Sequence, residues 1–233
     1  MSHQPRPDIA TRAVVRHELL IRMLDDSGNL IMPGRFLPAA EKYGLVADID
    51  RWMLGQAVEL AAEGHAVAVN LSAYSVAAPR LLSDYLAALR RTGADPSLIV
   101  VELTETALLE DGPAAERLIK GIRAAGSHLA IDDFGTGYGG FTYLKQLPFD
   151  FLKIDAEFVR DLTANAASQH VVRALVSLAK GFGQQTIAEG VEDEHTLAML
   201  GELGVDFAQG YVIARPAPAA DVIVHAASRP LRR

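Results

Sequence analysis

One recurring pattern restricts this chain to a few architectures. Short β-rich apolar runs recur along its length, each closing on a polar residue and followed by a helical stretch. The runs are AVVRHELLIR (13–22), AVAVNLS (66–72), LIVVELTE (98–105), HLAIDD (128–133), FDFLKID (149–155), QTIAEG (185–190) and DFAQGYVIA (206–214). Most are apolar on both faces, as parallel strands buried beneath helices are. The stretches between them carry helix punctuation. GPAAERLIKGIRAAG predicts a helix stopped at Gly126, and DEHTLAMLGELG one opening on Asp193 and closing near Gly204. ASQHVVRALVSLAKGFG reads the same way, and GRFLPAAEKYGLVADIDRWMLGQAVELAAEG holds two helices parted near Gly44.

Strand and helix alternating over 233 residues, half of them apolar, fit one α/β domain with a sizeable core. Two architectures meet that description: a (β/α)8 barrel and an open doubly wound sheet. The position of the polar residues favours the barrel. Glu18, Asn70, Glu102, Asp132, Asp133, Lys153, Glu189 and Gln209 stand at the C-terminal ends of many different strands. Barrels gather their chemistry from several strand ends, whereas open sheets concentrate it at one switch point. No GxGxxG follows the first strand.

Taken singly, each of these residues has an ordinary structural explanation as a helix cap, a turn residue or a solvated side chain. Six successive strand ends would each need such an explanation separately. Charge sharpens the point. Glu18, Glu102, Asp132, Asp133 and Glu189 would bring five carboxylates to one mouth, and Arg22 and Lys153 would offset two of them, leaving -3. Crowded carboxylates either protonate or recruit cations. The chain has no cysteine, so thiolate sites and disulfides are excluded. The all-oxygen donor set, with the Asn70 amide, points to Mg²⁺ or Mn²⁺ rather than zinc. Adjacent Asp132 and Asp133 form a natural bridge between two ions, the arrangement that cleaves phosphodiesters by in-line attack of water.

The formal net charge of -7 and pI near 5.5 give no basic footprint for duplex nucleic acid. No apolar run approaches a membrane span and MSHQPRPDIATRAVV carries no signal peptide. The expectation is a cytoplasmic domain that makes no membrane contact itself.

The motifs HELLIR, VNLSA, ELTET, DDFGTGY, LKQLPFDFLKID, AEGVE and QGY, in this order, resemble the EAL-domain family, the cyclic di-GMP phosphodiesterases. The resemblance covers nearly the whole chain. It implies a TIM-like (β/α)8 barrel whose first strand runs antiparallel, and hydrolysis of cyclic di-GMP to linear pGpG. It also implies roles. Glu18, Asn70, Glu102 and Asp132 would ligate the first Mg²⁺; Asp133 and Glu189 would ligate the second, with Asp132 bridging. Lys153 would orient or deprotonate the attacking water beside Gln209. Arg22 would pair with a substrate phosphate, and Leu20, Gln4, Asp155 and Glu192 are further substrate contacts. Glu105 would pin the loop after DDFG.

Three departures from the family pattern stand out. The signature reads Glu-Leu-Leu at residues 18–20. The loop reads GTGYGG, with Gly139 and Gly140 where serines are commoner, which predicts a looser loop. The first-strand QPI has become QPR at residues 4–6, and the chain starts just before it, so the first strand is expected to be short or frayed. The resemblance further implies a homodimer and a single domain over residues 1–233 taken from a larger signalling protein with an upstream sensory or GGDEF module. Two rival readings share the carboxylates: a receptor that binds cyclic di-GMP without cutting it, and an unrelated metal-dependent barrel using Lys153 for enolate or aldol chemistry. Neither Arg22, Gln209 nor the motif order is explained by the latter.

Overall fold

A computed structural model describes residues 1–134 and 147–218, apart from the side chains of residues 109 and 110. The loop singled out at Gly139 and Gly140 lies outside the described residues. Strands β1 (Ser2–Pro7), β2 (Val14–Leu20), β5 (Val67–Leu71), β6 (Ile99–Thr104), β7 (His128–Phe134), β8 (Phe151–Ile154), β9 (Gln185–Ala188), β10 (Phe207–Ala208) and β11 (Ala217–Pro218) form one sheet. Its order is β10-β9-β8-β7-β6-β5-β2-β1-β11. A separate ribbon pairs β3 (Met23–Leu24) with β4 (Leu30–Ile31). From β2 to β10 neighbouring strands are parallel, while β1 is antiparallel to β2 and to β11. The sheet curls until β1 meets β10: Asp8 and Phe207 form an isolated antiparallel bridge, and the Ile9 N–H donates to the Asp206 carbonyl at 2.9 Å. The result is the expected barrel-like α/β fold with an antiparallel first strand.

The seven runs read from the sequence each supply one strand, with ends trimmed by a few residues. The helices between them are also where their punctuation puts them. α1 (Pro33–Lys42) and α2 (Val46–Ala62) part at Gly44, whose φ of +70° suits glycine. α3 (Ala73–Val76) and α4 (Leu81–Thr92) follow β5, and α5 (Glu105–Glu110) and α6 (Gly112–Ala124) follow β6. α7 (Ala156–Arg160) and α8 (Ala166–Gly181) follow β8. α9 (Glu194–Leu203) opens where Asp193 accepts the Thr196 N–H at 2.8 Å and closes on Gly204 at φ +82°.

Alternation along the strands separates two environments. Val67, Val69 and Leu71 of β5 pack outward into one large apolar cluster with the helices, which also holds Val101, Leu129 and Leu152. Ala68, Val100 and Ala130 form a separate small cluster with Phe151. These side chains are short, so the layer leaves room for long polar side chains beside it.

The first strand is not frayed. β1 spans six residues and pairs with β2 from Ser2–Leu20 to Pro7–Val14, with a register shift between Arg6 and Pro7. Its prolines are tolerated because, among the described residues, one edge of β1 carries no ladder beyond the two β11 pairings at Ser2 and His3. What secures the strand is Arg6, whose side chain is 2 % exposed and hydrogen-bonded throughout.

Candidate active site at the strand ends

The C-terminal ends of the parallel strands carry the expected carboxylates, and three of these converge on one ammonium. Lys153 on β8 is 1 % exposed; its Nζ lies 2.6 Å from Glu102 Oε2, 2.7 Å from Asp132 Oδ2 and 2.7 Å from Glu189 Oε1. Burial alone would strip the proton from this amine, but Asp132, Glu102 and Glu189 outweigh it and push its pKa well above the ordinary value.

Glu18 on β2 joins the cluster from the other side. Its Oε1 accepts from Asn70 Nδ2 at 2.5 Å, and its Oε2 accepts from Gln209 Nε2. Gln209 Nε2 also donates to Gln4 Oε1 at 2.9 Å, and Gln4 in turn donates to the Ala214 carbonyl. Above these groups opens a cavity of about 350 Å³, lined by Gln4, Glu18, Asn70, Asp132, Lys153 and Glu189 among others. Leu20, Glu192 and Gln209 line it too, as do two residues that sequence reasoning missed, Arg160 and Tyr211.

The most consequential omission is Arg6. Its Nη1 donates to Glu102 Oε1 at 2.7 Å, its Nε and Nη2 donate to Gln209 Oε1 at 3.1 and 2.9 Å, and its Nη2 lies 3.6 Å from Glu18 Oε2. Sequence reasoning assigned the second compensating charge to Arg22. The structure gives it to Arg6: Arg22 donates to the Ile21 carbonyl and lines an adjoining cavity of about 500 Å³, which shares Leu20 and Asn70 with the first. The signal for Arg6 was the strand period, since Gln4 and Arg6 are two residues apart and must share a face.

The charges explain the titration behaviour. Burial opposes the charged form of Glu102, but Arg6 and then Lys153 overcome it and hold its pKa at about 2. Glu189 goes the other way. Burial, with Asp132 and Glu18 adding to it against the pull of Lys153, drives it up to about 8. Burial and then Asp132 push Asp133 up to about 6. Asp133 has φ 54°, a left-handed conformation rare outside glycine, and the β7–β8 register shifts between Ile131 and Phe134. The two adjacent aspartates are thus presented differently by the bulge.

Two further candidates stand at the edge of the site. Asp155 caps α7, accepting the Glu157 N–H at 2.6 Å, and its carboxyl also bonds that of Asp133, although it lines neither of the two cavities. Glu105 is buried in the first turn of α5, where Thr104 is the cap; the loop it was expected to pin lies outside the described residues from 135 to 146.

Among the described residues no trio of acidic or imidazole side chains is set to hold a metal ion as it stands. In kind, the donors nevertheless fit a hard divalent cation: they are oxygens, crowded beyond what two cations neutralise. Glu102 Oε2 is buried, with the Lys153 ammonium 2.6 Å away.

A curled mixed sheet with an antiparallel first strand and carboxylates at its strand ends defines a class, and the chain belongs to it: the EAL domain family model matches residues 1–216. The chain is 36% identical over 234 residues to MucR of Pseudomonas aeruginosa, a bifunctional diguanylate cyclase/cyclic di-GMP phosphodiesterase, covering 97% of this chain and 34% of that one. It is 33% identical over 224 residues to the cyclic di-GMP phosphodiesterase PdeF of Escherichia coli, covering 94% and 30%. The solved MucR phosphodiesterase in complex with c-di-GMP superposes with a TM-score of 0.88 at 36% identity, covering 95% of this chain and 92% of that one. The chain spans about a third of the length of the curated relatives it matches. Among the described residues no helix is long and apolar enough to cross a membrane.

Proposed function

We propose that this chain hydrolyses cyclic di-GMP to linear pGpG with the help of two divalent cations, Mg²⁺ or Mn²⁺. The observation that carries the reading is the convergence of Glu102, Asp132 and Glu189, from three different strands, on Lys153 beneath an open cavity. Glu18, Asn70, Glu102 and Asp132 would hold one cation, and Asp132, Asp133 and Glu189 the other. Bound cations supply charge stabilisation at phosphate and activation of water.

The chain's own groups do the rest. Lys153, set among three carboxylates, would orient or deprotonate the attacking water. Gln209, tied to Glu18 and Gln4, fixes the far side of the cavity. Leu20 separates the main cavity from the one lined by Arg22, and the two together accommodate a ligand with two bases and two phosphates. Arg22 meets a phosphate there, where a guanidinium's paired donors suit its geometry. Gln4 and Glu192 line the ligand's path. We assign the Glu18-Leu19-Leu20 signature the role of its Glu-Ala-Leu counterpart, because Leu19 is buried in the outer apolar cluster. The surrounding protein, in this reading, is a longer, dimeric signalling protein with a further regulatory module.

Incubation with cyclic di-GMP and Mg²⁺ followed by chromatography tests the reading, and pGpG is the expected first product. One observation favours a second reading. Arg6 already neutralises part of the acidic cluster, which suits a receptor that binds the nucleotide and cuts it slowly. Calorimetric binding without pGpG would establish that alternative.

A further inference from the structure

We propose that Arg6 is a resident cation that takes the place of positive charge otherwise supplied by a divalent ion at the Glu18–Glu102 half of the site. The inference rests on the metal-dependent reading above and deepens it.

The geometry supports this in three ways. First, Arg6 engages the groups a cation there would need. It bonds Glu102 Oε1 at 2.7 Å and approaches Glu18 Oε2 at 3.6 Å, while its other donors hold Gln209 Oε1. Secondly, Arg6 approaches from beneath. It does not line the open cavity at the mouth; it lines a separate one of about 410 Å³ at the opposite end of the strands, with Asp8, Arg16, Val100, His128 and Phe151. The mouth stays open while the charge arrives through the barrel interior, where Ala68, Val100 and Ala130 leave space. Thirdly, the charges balance differently because of it. Five carboxylates, Glu18, Glu102, Asp132, Asp133 and Glu189, face two basic side chains, Lys153 and Arg6, so a formal -3 remains where -4 would stand without Arg6. One divalent ion reduces that remainder to -1. A second would add its charge close to a guanidinium that cannot lose its proton.

The expected consequence is unequal metal binding. The chain takes one divalent cation readily and a second at least tenfold more weakly, because the second must compete with Arg6 for Glu102 and Glu18. Mn²⁺ titration of the nucleotide-free protein, with free Mn²⁺ followed by electron paramagnetic resonance, reads both sites without turnover. Arg6→Met keeps much of the side chain's length and removes its charge; it should strengthen the weak site at least tenfold. Arg6→Lys keeps the charge and should stay near the parent. Melting supplies a second readout: Arg6→Met should melt lower than the parent in chelator and recover with Mn²⁺, which restores the missing charge.

Two equally tight sites in the parent would overturn the proposal. So would an Arg6→Met protein whose metal binding is unchanged, or equal gains in Arg6→Met and Arg6→Lys, which would make the effect one of size. If Arg6→Met folds only when Mn²⁺ is present, the proposal stands; if Mn²⁺ fails to rescue it, the proposal falls. Absence of any Mn²⁺ binding in the folded parent and variants overturns the metal reading and this proposal together. The predicted binding pattern without pGpG formation overturns only the assignment of activity.

Discussion

Gly210, directly after Gln209, offers a test of how tightly the site is built. The backbones of Gly210 and Val191 touch: a Cβ added at Gly210 would lie 2.6 Å from the Val191 carbonyl carbon and closer still to its oxygen and nitrogen. Ordinary carbon contacts need about 3.5–4.0 Å, so Gly210→Ala must part the two segments by roughly 1 Å. Two backbone hydrogen bonds span that contact, Val191 N–H to the Gln209 carbonyl at 3.0 Å and Val212 N–H to the Val191 carbonyl at 3.2 Å. Overpacking costs about 1–3 kcal/mol and each hydrogen bond about 1 kcal/mol, which gives roughly 3–5 kcal/mol in all. For a chain of this size that lowers Tm by roughly 10 °C. The shift also carries Gln209 and the segment from Glu189 to Glu192, and displacing reacting groups by about 1 Å costs on the order of 100-fold in rate. Gly55→Ala is the control. Gly55 is inside α2 with nothing near its added methyl, so alanine there should stabilise by about 1 kcal/mol. Thermal melts and cyclic di-GMP turnover on both variants decide the matter. If Gly210→Ala melted within about 2 °C of the parent and turned over normally, the close backbone contact would not support the site as argued.

Other predictions follow from different parts of the molecule. Turnover should require Mg²⁺ or Mn²⁺, vanish with chelator and be inhibited by Ca²⁺, whose longer bonds misplace the water; activity in excess EDTA would contradict this. Lys153→Ala should abolish pGpG formation while leaving much of the calorimetric affinity, whereas Arg22→Ala should chiefly weaken binding; the reverse pattern would mean that the two roles are exchanged. Tyr85 and Ser127 share a buried hydrogen bond of 2.5 Å, so Tyr85→Phe should cost about 1–2 kcal/mol in denaturant melts without altering turnover. Burial raises the Tyr85 phenol from 10.0 to about 12. Below pH 10 this group does not change stability with pH; as pH rises from 10 to 12 the unfolded chain ionises first and stability is lost. Tyr85→Phe should abolish that part of the alkaline slope.

The strand ends were legible because chemistry and pattern coincide there. A hydrophobic run closing on Glu102 or Asp132 marks both a strand and its functional end. Gly126, Asp193 and Gly204 were legible for the same local reason, since capping depends on one or two residues. Arg6 was not, because its meaning is non-local. In sequence it is a polar residue between two prolines, which reads as a weak edge strand. Its partners Glu102 and Gln209 are distant in the chain, and only closure of the sheet brings them together. Arg22, four residues from Glu18, lines the neighbouring cavity that shares Leu20 and Asn70 with the first, and its guanidinium still feels the Glu18 charge. Asp155 both caps α7 and bonds Asp133, and only the first of these is local in sequence.

The seam between β1 and β10 has a further consequence. Neighbouring strands elsewhere pair over two or more residues, but among the described residues this junction has one isolated bridge at Asp8 and Phe207 and one nearby backbone bond from Ile9. Such a line is where local unfolding should begin, and amide exchange at Ile9 should report an opening well below the global unfolding free energy. The Arg6 guanidinium crosses the same line to reach Gln209. Opening the seam therefore breaks the Arg6–Gln209 bonds and admits water to a buried guanidinium, so the local breathing of the fold is tied to its functional centre.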